Sequence, residues 1–205
     1  MTTGHIVLAG DSIFDNDGYV PGEPGVMEQL RRSLGARGFR NWSCSKVAVD
    51  GDCIRVVAAQ VVTLPTNATH LVVSVGGNDA LGHSHLLSKI GVLGDLDAAL
   101  HRPLSSFRTN YRDMLATLEK TDTQVHVCTI YTAVPFEEPL WRTYVPPALD
   151  QFNEVILEEA ERRSISVIRL DQVCDEADDY SSLSPIEPSA KGGQKVVDAI
   201  IAAVT

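Results

Sequence analysis

Short apolar runs alternate with longer amphipathic stretches along the whole chain, and this alternation restricts the fold to one class. The runs are rich in Val and Ile and only four to six residues long, which is typical of parallel strands buried on both faces; they cover residues 5–9, 46–49, 70–75, 125–130 and 166–170. The stretches between them have helical periodicity and predict helices over residues 25–37, 52–62, 80–90, 95–119, 145–163 and 189–204. Strict alternation of strand and helix predicts a three-layer, doubly wound α/β sandwich around a five-stranded parallel sheet.

The chain shows no internal repeat, low-complexity tract or block of like charge that would mark a linker. Its length of 205 residues and its 44% content of hydrophobic residues are sufficient for one core. We therefore expect a single domain over residues 1–205.

The charge balance argues against two classes of partner. Seventeen basic and 27 acidic residues give a net charge of −10, which opposes binding to nucleic acid or to anionic membranes. The first residues carry no basic leader before a long apolar run, so we expect a cytoplasmic protein. The four cysteines lack Cys-x-x-Cys spacing, so we expect reduced thiols, no metal and no cofactor.

Small and polar residues follow the predicted strands directly. They occupy residues 10–12, 50–52, 76–79 and 131–133. Right-handed crossovers bring all such loops to the carboxyl edge of the sheet, where ligands bind in this class of fold. The candidate site is therefore expected at this edge.

Ser12, in Gly10-Asp11-Ser12, is placed to act as a nucleophile, although the same three residues could form only a turn. In Gly76-Gly77-Asn78-Asp79, the glycines let backbone amides approach a ligand, and Asn78 adds a carboxamide donor. Such donors can form an oxyanion hole, but Asn78 and Asp79 could equally cap the helix that follows. Gly51 could supply another amide or serve only as a turn glycine.

The order of these segments resembles that of the GDSL or SGNH hydrolase family. The family has a Gly-Asp-Ser loop, then a glycine, then a Gly-x-Asn-Asp segment, and the chain has all three in this order. The resemblance implies a flavodoxin-like strand order. It also implies Ser12 as nucleophile, with the amides of Ser12 and Gly51 and the side chain of Asn78 as oxyanion donors.

The last family block, Asp-x-x-His, is altered here. Alignment on the Pro-Ser pair that follows places Ser184 at the aspartate position and Glu187 at the histidine position, and no histidine follows His126. A buried Glu187 could serve as general base if its pKa rose by roughly two units, towards that of imidazole. It could equally be a partner of a helix amino end.

Other histidines are alternative bases. His5, His70 and His126 lie near the starts of their predicted strands, about 15 to 20 Å from the carboxyl edge. His83 and His85 lie just beyond the Asn78 loop and are therefore closer to the predicted site. Because they are two residues apart on a predicted helix, they point in nearly opposite directions, and at most one could face Ser12. The sequence therefore leaves Glu187, His83, His85 or no residue as the base.

Two further loops are noted. Residues 15–18, with the sequence Asp-Asn-Asp-Gly, strongly favour a turn. The proline-containing loop predicted at residues 131–146 is long enough to cover a substrate.

The leading hypothesis is a serine esterase or acylhydrolase that cleaves an ester or related acyl bond of a small molecule through Ser12. The alternative is a catalytically degenerate member that binds acylated or carbohydrate ligands. We expect a monomer or a small homo-oligomer.

Overall fold

The computed structural model describes residues 3–205, except for the side chains of residues 91–93. Met1 and Thr2 lie outside the described residues. The expected cytoplasmic location rests in part on these two residues. The centre of the fold is a five-stranded, all-parallel sheet with the strand order β2-β1-β3-β4-β5. The strands are β1 (Gly4–Gly10), β2 (Trp42–Lys46), β3 (His70–Ser74), β4 (Gln124–Cys128) and β5 (Ser166–Ile168).

Helices connect successive strands, as the alternation predicts. They are α1 (Val26–Ala36), α2 (Ile54–Val62), α3 (Gly77–Leu81), α4 (Leu87–Leu93), α5 (Leu96–Leu118), α6 (Pro139–Glu161), α7 (Leu170–Val173) and α8 (Ala190–Val204). Short 3-10 turns lie at Asp17–Tyr19, Ser84–Leu86 and Ala177–Asp179.

The sheet separates two hydrophobic cores, because alternate strand residues point to opposite faces. In β1, Ile6 and Leu8 pack against α1 and α8. Val7 and Ala9 of the same strand pack with residues of α2, α5 and α6 on the other face. The prediction of a three-layer, doubly wound sandwich with a five-stranded parallel sheet is confirmed.

The predicted bounds of the second strand, residues 46–49, are wrong. The strand is Trp42–Lys46, and its residues are half-buried or exposed. β2 lies at the edge of the sheet and keeps polar side chains, so it lacks the apolar run that marks a central strand. The predicted residues follow the strand instead, and the amides of Val47 and Val49 donate to carbonyls of β1 at 2.8 and 3.1 Å.

Two helix predictions also differ from the structure. The helix predicted over 80–90 is divided into α3, a 3-10 turn and α4. The helix predicted over 145–163 starts earlier, at Pro139, because Glu138 accepts a hydrogen bond from the amide of Trp141 at 2.8 Å and proline suits the first helical turn. The loop predicted over 131–146 is correspondingly shorter.

Among residues 3–205, no helix has both the length and the apolar character needed to cross a bilayer.

Candidate active site

The predicted nucleophile lies at the point where the strand order reverses. β1 is central, β2 lies on one side of it and β3 on the other, so the loops after β1 and β3 flank a crevice at the carboxyl edge. Gly10 ends β1 with a φ of +120°, and a Cβ atom there would lie 1.8 Å from the carbonyl oxygen of Ser74. A residue with a side chain cannot fit, so glycine is required for the sharp turn into Ser12.

Gln60 of α2 holds this turn from behind, and sequence reasoning missed it. Its buried carboxamide accepts from the amide of Gly10 at 2.7 Å and donates to the carbonyl of Gly10, also at 2.7 Å. It also donates to Asp52 Oδ2 at 2.7 Å. One side chain thus links the nucleophile loop to the loop after β2. A lone glutamine in a helix carries no sequence signal for such a role.

Ser12, Asn78 and Glu187 line one cavity of about 110 Å³. They come from residue positions far apart in the chain, and the fold brings all three together. Gly51 is not among the residues that line this cavity. It lies in the turn before α2, with a φ of +82°.

Asn78 and Asp79 do not cap the helix in which they lie. α3 begins after Gly76, with no side-chain cap. Instead, Asn78 Nδ2 donates to the carbonyl of Asp52 at 2.8 Å, and Asp79 Oδ2 accepts from the amide of Ile54, the first residue of α2, at 3.0 Å. The capping alternative for the following helix is therefore wrong. Since Nδ2 carries two hydrogens, one remains for a ligand.

Glu187 is buried, with 3% of its surface exposed, and burial raises its pKa to about 7. The hydroxyl of Ser12 lowers this pKa as a hydrogen-bond donor, and the charge of Asp50 raises it. Glu187 Oε2 has no hydrogen-bond partner among the described residues. A carboxylate with a free buried oxygen beside a serine hydroxyl can accept the proton of that hydroxyl.

The suggested role of Glu187 as partner of a helix amino end is wrong for α8. Ser189 caps this helix, and its hydroxyl accepts from the amide of Gly192 at 3.1 Å. The backbone around Glu187 is held by two other residues. Asn16 donates to the carbonyl of Pro188 at 3.2 Å, and the hydroxyl of Tyr131 donates to the carbonyl of Ile186. The backbone of Glu187 is thus fixed by its neighbours, while its Oε2 has no hydrogen-bond partner within residues 3–205.

A second buried carboxyl group lines the cavity. Burial raises the pKa of Asp11 to about 8, the amide of Ile13 opposes this shift, and the charges of Glu187 and Asp79 add to it. Asp11 Oδ1 accepts from that amide at 3.2 Å. The site therefore combines a serine hydroxyl with two carboxyl groups that titrate near neutral pH.

The histidines differ in their relation to the cavity, and His126, predicted near the start of its strand, lies at the middle of β4. His83 lines the cavity, and His85 is not among the lining residues. His5, His70 and His126 lie in β1, β3 and β4 and do not line it either.

Two clusters of acidic residues outside the cavity pair with lysines. Lys46 binds both Asp15 and Asp17, the latter at 3.0 Å. Glu176, Asp178 and Asp179 lie close enough together to hold a cation. Lys191 reaches Asp178 at 2.7 Å and Lys195 reaches Asp179 at 2.8 Å, so these carboxylates already pair with ammonium groups.

The fold is doubly wound, with a serine at its switch point and an asparagine after the neighbouring strand. This combination is typical of one class of hydrolases, and comparison with known protein families identifies the class. The chain belongs to the GDSL-like Lipase/Acylhydrolase family, whose model matches residues 8–195. No curated protein sequence gives a match.

Solved structures with the same fold include three enzymes. The lipase Lip_vut3 from a goat rumen metagenome is 21% identical, with a TM-score of 0.71, and the match covers 99% of this chain and 98% of that one. An acetyl xylan esterase, Axe2 from Geobacillus stearothermophilus, is 17% identical, with a TM-score of 0.69 and coverage of 99% and 96%. Phospholipase A1 from Streptomyces albidoflavus NA297 is 16% identical, with a TM-score of 0.70 and coverage of 99% and 100%. At these identities the likeness establishes the fold.

Proposed function

We propose that the protein hydrolyses an ester or related acyl bond, with Ser12 as nucleophile and Glu187 as general base. The observation that carries the proposal is the buried Glu187 carboxyl beside the Ser12 hydroxyl, with its pKa raised by burial to about 7. That value is close to the pKa of about 6.5 of a free histidine. Burial thus removes the gap in basicity that the missing imidazole would otherwise leave.

In the proposed mechanism, Ser12 Oγ attacks the carbonyl carbon and transfers its proton to Glu187. The negative charge that forms on the carbonyl oxygen is stabilised by the second hydrogen of Asn78 Nδ2 and by the amide of Ser12. The amide of Gly51 is the third proposed donor, because Asn78 holds the carbonyl of the adjacent Asp52 at 2.8 Å.

The tetrahedral intermediate then collapses. The ester oxygen leaves as an alcohol and takes the proton from Glu187, which leaves an acyl group on Ser12. Water attacks this acyl-enzyme and gives its proton to the Glu187 carboxylate, and the second collapse returns that proton to Ser12 Oγ. The products are a carboxylic acid and free enzyme.

The test is hydrolysis of a short-chain aryl ester by the parent and by Ser12→Ala, Glu187→Gln and His83→Ala variants. We expect Ser12→Ala and Glu187→Gln to lower kcat by about 10⁴-fold or more, as loss of a nucleophile or base does in other serine enzymes. His83→Ala should lower it less than tenfold, with His85→Ala as its matched control. Loss of activity in His83→Ala, with activity kept in Glu187→Gln, would assign the base to His83 instead.

A second candidate function is binding of an acylated or carbohydrate ligand without turnover. The observation that favours it is the carboxylate at the position where the family has histidine. A parent protein no more active than Ser12→Ala on esters, thioesters and acetylated sugars would support this candidate.

A further inference from the structure

The cavity beside Ser12 has walls of two kinds. Polar groups come from the loops at the strand ends. Most of the other lining side chains are apolar and come from both loops and helices, and among them are Leu87 and Ile90 of α4, Leu100 of α5, and Leu149 and Phe152 of α6. Each of these five is at most 9% exposed. The cavity beside Ser12 is therefore walled mainly by apolar side chains, and these five are withdrawn from water.

We propose that these five side chains form the acyl-binding half of the site, and that it selects straight aliphatic acyl chains of about four to six carbons. The inference rests on the proposed function, since it assigns the acyl part of the ester to this cavity. Methylene groups gain free energy on leaving water for such a wall. Sugar hydroxyl groups placed there would lose hydrogen bonds to water and find no replacement.

The volume sets the chain length. A cavity of about 150 Å³ lined by Leu, Ile and Phe holds benzene, which has six carbon atoms. On that scale the present cavity, of about 110 Å³, holds roughly four carbon atoms beyond the reacting carbonyl carbon. An acetyl group leaves most of the cavity empty, whereas a dodecanoyl chain exceeds it severalfold. Butyryl has about three carbons beyond the carbonyl and hexanoyl about five, so these two chains bracket the capacity of the cavity and fit best.

The experiment compares kcat/KM for aryl esters with acetyl, butyryl, hexanoyl and dodecanoyl groups, each used as a monomer in solution. Every methylene buried should raise kcat/KM about fourfold, so butyryl should exceed acetyl by about 15-fold. kcat/KM should then fall by roughly tenfold from hexanoyl to dodecanoyl, because a chain too long for the cavity is forced against its wall and displaces the ester from Ser12. A maximum at acetyl or at dodecanoyl would overturn the proposal.

Two variants move the optimum in opposite directions. Ala148 lines the cavity from α6, and Ala148→Leu adds three carbon atoms that fill most of it, so acetyl should become the preferred group. Leu149→Ala removes three carbons and should shift the optimum towards octanoyl. Val62→Ala is the control, because Val62 is 84% exposed on α2 and lies outside the cavity. An unchanged preference in a folded Ala148→Leu protein contradicts the assignment.

Failure of the proposed function and failure of this inference are distinguishable. If the parent hydrolyses no ester faster than Ser12→Ala, catalysis is disproved. Binding of butyramide, hexanamide and dodecanamide to the Ser12→Ala protein, measured by calorimetry, then tests the cavity alone. Tighter binding of the hexanoyl or butyryl amide than of the dodecanoyl amide supports the acyl site, and no binding of any amide overturns it.

Discussion

The buried carboxyl groups of Asp11 and Glu187 line the same cavity, and the charge of Glu187 adds to the effect of burial in raising the pKa of Asp11 to about 8. Burial raises the pKa of Glu187 itself to about 7. Ionising both carboxyl groups in one poorly solvated site costs electrostatic free energy, because their negative charges repel each other. The pair therefore loses its two protons in successive steps. Near neutral pH the site thus holds one ionised and one protonated carboxyl.

This relationship predicts a bell-shaped dependence of kcat/KM on pH. Below about 7 the base is protonated, so kcat/KM should fall about tenfold for each pH unit. Above about 8 Asp11 ionises, and its negative charge opposes the oxyanion that forms in the cavity. An Asp11→Asn variant, which mimics the protonated carboxyl, should keep the acidic limb and lose the alkaline one.

The measurement is kcat/KM of both proteins from pH 5 to 10, corrected for spontaneous hydrolysis. Asp15→Asn is the control, because Asp15 is held by Lys46 outside the cavity. An alkaline limb that persists unchanged in Asp11→Asn would exclude Asp11 as its origin.

A stability gain from loss of the proposed base is the second prediction. Burial raises the pKa of Glu187 above its ordinary value of 4.5. Its contribution to stability is therefore complete below about pH 4.5 and is lost as the pH rises through about 7. Glu187→Gln does not carry this cost and should be more stable than the parent at pH 8, by at most about 3 kcal/mol.

Urea denaturation of both proteins at pH 4.5 and pH 8 measures this difference. The advantage of Glu187→Gln should be present at pH 8 and shrink towards pH 4.5. Glu154→Gln, an exposed change on α6, should show no such dependence. Equal or lower stability of Glu187→Gln at pH 8 would mean that the carboxylate is not penalised by burial.

The sequence predicts the central strands and the long helices well, since their apolar residues recur with a clear period. It fails at β2, because Trp42–Lys46 lies at the sheet edge, where polar side chains are tolerated. It also fails at Pro139, where a proline that looks like a helix breaker is instead the first residue of α6.

For the site, short motifs locate Ser12, Asn78 and Glu187, because small and polar residues after strands converge at one edge. They do not reveal supporting contacts that join distant segments. Gln60 holds Gly10 across 50 residues, and Asn16 holds Pro188 across 172. Such contacts depend on side-chain direction within the packed core, which no local pattern encodes.

Gln60 provides the third prediction. Gln60→Leu leaves the amide of Gly10 without its side-chain acceptor, which should cost about 1–3 kcal/mol of stability. It should also displace Ser12, two residues on, and lower kcat about 10- to 100-fold, since small misplacements of a nucleophile are costly. Val57→Ala, a buried change on the same helix, should lose comparable stability with kcat unchanged. Equal kcat values in the two variants would show that Gln60 acts only on stability.

The fourth prediction concerns His126, which lies at the middle of β4 and does not line the cavity. Its ring is fully buried and stacks on His70 at a centroid distance of 5.9 Å. Neither ring nitrogen has a hydrogen-bond partner among the described residues. Burial lowers the pKa of His126, and the charge of His70 lowers it further. The folded protein thus resists protonation of a ring that the unfolded chain protonates near pH 6.5.

Because the pKa is lower in the folded state, the contribution of His126 to stability is present above about pH 6.5 and is lost as the pH falls below it. The loss should reach up to about 2 kcal/mol at pH 5. His126→Phe removes the titrating group, so its free energy of unfolding should fall less than that of the parent between pH 7 and pH 5. His85→Phe, at an exposed position, should keep the parental slope. Parallel slopes for the parent and His126→Phe would show that the acid sensitivity arises elsewhere, with the carboxylates as the first groups to test.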